Sequence, residues 1–145
     1  QHRERRLYAA ATPLAADAFA AESKLADDLT KQHRYNAACS AALAAAGQAA
    51  EAKNLPDKVT VVLRRQSLQW LRADLLRYSE LAEHHDPKVQ ELVRHRLAHW
   101  QTDADLASVR APDALARLPA AERDTWRQLW SEVEALRRRA AGGKE

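Results

Sequence analysis

Only three glycines occur among the 145 residues: Gly47, Gly142 and Gly143. Glycine supplies the positive-φ positions that tight hairpins and phosphate-cradling loops need, so a chain this poor in it has little means of making them. Neither GxGxxG nor GxxxxGK[ST] can be written in it, which excludes the dinucleotide and P-loop classes. The same chain holds 32 Ala, 19 Leu and 17 Arg, and these are among the strongest helix formers. Scarce turn residues and abundant helix formers together predict an all-α fold. At this length a domain buries roughly 68–70% of its unfolded surface, so a core forms without staples. We expect one domain over residues 1–141 and a flexible tail over 142–145.

The lone cysteine, Cys39, excludes a disulfide framework and any zinc site that needs two thiolates. It fits a reducing compartment, and a cytoplasmic setting is expected. Twenty-three bases against twenty acids leave a net charge of +3. Nucleic-acid binders carry a stronger or more segregated basic patch, so nucleic acid is not the expected partner. No apolar run approaches the roughly 18 residues of a membrane span, and no membrane contact is expected of this segment. The chain begins at Gln1 and has no Met, which reads as an internal piece of a longer polypeptide.

Helical periodicity sets the organisation. A first helix is expected over 3–21, with Leu7, Leu14 and Phe19 on one face and a break near Thr12-Pro13. A connecting segment follows over 22–31. A second helix over 32–47 presents Tyr35, Ala38, Cys39, Ala42 and Ala46, and Gly47 closes it. After a loop at 48–56, a long helix runs from Asp57 to His85. Its stripe is Val61, Leu68, Leu71, Leu75, Tyr78 and Ala82, widened by Leu63, Trp70 and Leu76. Asp86-Pro87 is a cap with a first-turn proline and opens a helix to Gln101, faced by Val89, Leu92, Val93, Leu97 and Trp100. Pro112 opens a short helix. Pro119 opens the last one, with Trp126, Leu129, Trp130, Val133 and Leu136 inside. Short connections make neighbouring helices antiparallel, which fits either a closed bundle or a run of antiparallel helical hairpins stacked as a solenoid.

Three phrases carry a resemblance: HRYNAACSAALAAAGQ (33–48), LRRQSLQWLRADL (63–75) and HWQTDADLASVRAPDALARLPAAERDTWRQLW (99–130). The chain resembles, over about residues 7–140, the C-terminal helical region of planctomycete eukaryotic-like serine/threonine protein kinases. There a kinase domain is followed by tetratricopeptide repeats. The resemblance implies a tetratricopeptide-like stack with a C-terminal capping helix, serving as a non-catalytic interaction or scaffolding module of a larger signalling protein. The phrase AFAAESKL has Ser23 where such a repeat closes with proline, and no Trp-x-x-Leu-Gly phrase occurs. VAIK, HRD and DFG are absent, so no kinase chemistry transfers to any residue.

An independent enzyme is not expected, because no acid/base or nucleophile constellation can be assembled. Cys39 reads as a small packing residue, with His33 nearly opposite it around the helix. Glu91, His95 and His99 stand at i, i+4 and i+8, a spacing that can present zinc ligands on one face. The phrase HRLAH lacks the glutamate of HExxH, and a solvated helix face is the expected reading; no metal or cofactor is implied. For the docking reading, the candidate groove residues are Tyr35, Asn36, Arg64, Arg72 and Arg77. The guanidinium forks would select acidic groups of a protein or peptide partner, and the Asn36 amide would hold its backbone. The alternatives are a purely structural cap or spacer and a weak basic-surface nucleic-acid binder.

Overall fold

The computed structural model describes residues 32–47 and 55–142. The helix expected over 3–21, the segment 22–31 and most of the 48–56 connection lie outside the described residues, as does most of the tail. Every regular element among the described residues is helical: α1 His33–Ala45, α2 Asp57–Leu81, α3 Pro87–Thr102, a 3-10 segment Ala104–Val109, α4 Pro112–Ala116 and α5 Ala120–Ala140. The chain divides into two compact units, Gln1–Asp74 and Leu75–Glu145, with the boundary inside α2.

In the first unit, α1 is buried nearly all the way round, from Arg34 to Ala44 with only Asn36 half-buried. A helix apolar on every side belongs in an interior rather than on a surface. Its small side chains permit close approach. Ser67 of α2 donates to the Ala38 carbonyl at 2.8 Å, and Arg34 pairs with Asp74 at 3.2 Å. These two contacts advance in opposite directions along the two helices, so α1 and this part of α2 run antiparallel. Gly47 stops α1 as expected. Its φ of +72° lies in the left-handed region, and its N–H reaches the Ala44 carbonyl at 3.0 Å. Ala46, expected on the inner face, is exposed because it already lies in this terminating turn.

α2 opens on Pro56, whose carbonyl accepts from the N–H groups of Val59 and Thr60. It buries Leu63, Ser67, Trp70, Leu71, Asp74, Leu75 and Tyr78. Of the expected stripe, Leu71, Leu75 and Tyr78 are buried together with the flanking Leu63 and Trp70, whereas Val61, Leu68 and Ala82 are half-buried. Leu76 is 62% exposed, since one step past Leu75 turns a side chain by about 100° toward solvent. Ser67 and Asp74, polar residues outside the expected stripe, are buried with it. The helix ends at Leu81, four residues before the expected His85. There the Gln90 side-chain amide donates to the carbonyls of Ala82 and His84, and the chain must be extended ahead of Pro87.

The second unit is built on α3 and α5, which pack directly, with α4 lying against the 3-10 segment and α5. Asp86 caps α3 by accepting from the Lys88 N–H at 2.9 Å, with Pro87 in the first turn. Val93, Leu97 and Trp100 point inward from α3; Trp126, Leu129, Val133 and Leu136 do so from α5; Leu106, Val109 and Leu115 close the core. Leu92 is exposed and Trp130 only half-buried, both against expectation. Trp130 lies at the edge of the core, where its indole N–H donates to the Val109 carbonyl at 2.8 Å and its ring stacks on Trp126. The last two turns of α2 form an antiparallel hairpin with α3. Tyr78 meets Trp100 edge-on at 6.0 Å and accepts from Arg96.

Candidate functional site

The five docking candidates occupy unlike environments. Tyr35 is 2% exposed, buried rather than open to a partner. Asn36 is half-buried, and its backbone carbonyl accepts from the Ser40 hydroxyl at 3.0 Å. Arg64 and Arg72 are half-buried and already engaged by other groups of the protein. Arg77 is exposed and paired with Glu80 at 2.6 Å. Helix geometry places Arg77 about 140° around α2 from Arg72. Arg64 and Arg72 stand eight residues apart on α2, about 12 Å along its axis and about 80° around it, so the five candidates do not form one patch.

Glu91, His95 and His99 are exposed along α3, and their ligand atoms do not gather into a metal-sized cluster. His99 instead pairs with Asp103 at 3.2 Å. The other carboxylate oxygen of Asp103 caps the 3-10 segment by accepting from the Asp105 N–H at 2.9 Å. Arg110 completes this corner. It donates to the carbonyls of Trp100 (3.0 Å) and Asp103 (2.8 Å), and its guanidinium lies 5.9 Å from the Trp130 ring centre. The Trp100 carbonyl, one of those left open in the last turn of α3, is thereby satisfied.

A second polar cluster fastens α3 to α5. Glu134 accepts from Gln101 at 2.7 Å, from Arg137 at 2.9 and 3.1 Å, and from Arg138 at 2.7 Å. The hydrogen bonds from Arg137, Gln101 and Arg138 hold its carboxyl down at about 2. The same pairing pushes the Arg137 guanidinium up. The sequence reading assigned no role to Asp103 or Glu134, because their partners are set by how the helices pack.

One surface is distinct in charge. From Lys58 to Ala73 the chain carries Lys58, Arg64, Arg65 and Arg72 and no acid. Residues 1–74 hold eleven Lys and Arg against eight Asp and Glu, while residues 75–145 hold twelve of each. The whole formal excess therefore lies in the first unit. Along α2, Lys58, Val62, Arg65 and Gln69 are exposed and share the face opposite the buried side. The signal was present in the sequence as an acid-free run, but the apolar stripe alone did not isolate it.

No family model, no curated protein and no solved structure matches the chain. No described helix is long and apolar enough to cross a membrane.

Proposed function

We propose that this chain is a non-catalytic, tetratricopeptide-like helical module that docks a protein partner for a larger signalling protein. This extends its resemblance to the C-terminal regions of planctomycete kinases. One observation carries the reading: polar groups in and around the two cores tie one helical element to the next. Arg34–Asp74 and Ser67 join α1 to α2; Gln90 and Arg96 join α2 to α3; Gln101–Glu134 joins α3 to α5. Such fastening holds neighbouring helices together within each unit and leaves outer helix faces for binding. The acid-free run that follows Asp57, from Lys58 to Ala73, supports an acidic partner.

The test is capture with the full chain from nuclease-treated lysate of its source cells, at low and raised salt. A defined protein held at raised salt is the expected result. Capture of nothing would leave a structural cap or spacer. Capture of only nuclease-sensitive material that salt releases would point to a weak polyanion binder. Either result would refute the docking reading.

A further inference from the structure

We propose that the solvent face of the first turns of α2 docks an acidic amphipathic helix of the partner protein, in heptad register. The proposal rests on the interaction-module reading and says where and by what chemistry the partner binds. Leu63, Ser67, Trp70, Leu71 and Asp74 are buried on one side of α2, and Lys58, Val62, Arg65 and Gln69 are exposed on the other. The exposed face is ordered in two ladders of seven-residue spacing. One is Lys58–Arg65, continued by the half-buried Arg72; the other is Val62–Gln69. Seven residues span about 10.5 Å of helix axis. That is the repeat on which a second helix docks with an apolar or amide midline and a charged flank.

Val62 is 53% exposed, a branched apolar side chain standing between cations. Lys58 lies in the first turn of α2, where the adjacent Asp57 suits the helix dipole and a cation opposes it. Neither choice serves the fold of α2 itself. Both serve an acidic helix laid along it, with carboxylates about 10.5 Å apart facing Lys58 and Arg65 and a small apolar side chain facing Val62. A polyphosphate chain would use the cations and gain nothing from the Val62–Gln69 midline. The observations therefore favour a protein helix over a nucleic acid.

The test uses the full chain and a synthetic amphipathic peptide of about three heptads, with Glu on one flank of an Ala/Leu midline, followed by fluorescence anisotropy. A twin peptide with Lys for Glu and a heparin oligosaccharide serve as comparators. The native chain is expected to bind the Glu peptide and not the Lys peptide. Lys58→Glu with Arg65→Glu should weaken the Glu peptide by at least about tenfold and transfer binding to the Lys peptide. Val62→Asp should weaken it without a change in salt dependence. Lys58→Gln with Arg65→Gln keeps the test open if the reversed charges disturb folding, and it should give a smaller loss in the same direction. Equal binding of both peptides, indifference to the double variants, or binding of heparin alone would overturn the proposal. If the captured protein partner stays bound to the charge-reversed chain, this face is wrong and the interaction-module reading stands. If the native chain captures no protein partner, that reading fails instead.

Discussion

Removing Asp74 tests how the first unit is held together. Asp74 and Arg34 approach to 3.2 Å, with side chains 2% and 9% exposed. At that separation and an effective dielectric of ~20, the gross attraction is about 5 kcal/mol. Burying each ion costs several kcal/mol, so the intact pair contributes little net stability. Breaking it is a different matter. Asp74→Ala leaves the Arg34 guanidinium in a buried site without this counter-charge, and such changes cost about 3–5 kcal/mol. Arg34→Met with Asp74→Leu removes both charges while keeping volume, and should cost less than either single change. The assay is amide hydrogen exchange across α1, supported by urea unfolding followed by circular dichroism. Asp74→Ala should speed exchange in His33–Ala45 by roughly 10²–10³-fold, since each 1.4 kcal/mol is tenfold. An Asp74→Ala loss below about 1 kcal/mol, or a double variant as unstable as the two singles added, would refute the reasoning.

Three further outcomes are expected. The Glu134 carboxyl lies at about 2 in the folded chain against an ordinary 4.5, so the unfolded chain binds that proton more readily. Its stabilisation is fully present above pH 4.5 and lost as pH falls toward 2; Glu134→Gln should flatten that acid limb of the urea midpoint. The cluster is half-exposed, so the loss at neutral pH should be only about 1 kcal/mol. Leu97→Ala, in the core of the second unit, should cost about 2–5 kcal/mol. Leu76→Ala on the solvent side should stay within about 0.5 kcal/mol in the same thermal melts. Arg110→Lys should raise amide exchange over Ala104–Val109 nearly as much as Arg110→Ala. The planar fork that meets two carbonyls and the Trp130 ring has no lysine equivalent.

The helices that local chemistry specifies were legible from the residues. Asp86-Pro87 starts α3 because a carboxylate cap and a preset φ act within three residues. Gly47 ends α1 because only glycine adopts positive φ without cost. Val93, Leu97 and Trp100 face inward as their spacing predicts. The docking set was less legible. Arg64 and Arg72 are more than two turns apart on α2, Tyr35 is buried and Arg77 pairs with Glu80. A residue's type suggests what it can bind and says nothing of which side chains surround it.

What the sequence alone determined is the class of structure: helix formers without glycine leave an all-α chain, and its caps and prolines mark most helix ends. What only the tertiary structure decided is how wide an arc each helix buries and which polar groups go with it. Ser67 and Asp74 are buried because Ala38 and Arg34, 29 and 40 residues earlier, face them across α1. Leu76 and Leu92 are exposed because no neighbour covers those edges of their helices. Periodicity reports the direction of an apolar face; its limits are set by partners distant in the chain, through contacts no local pattern encodes.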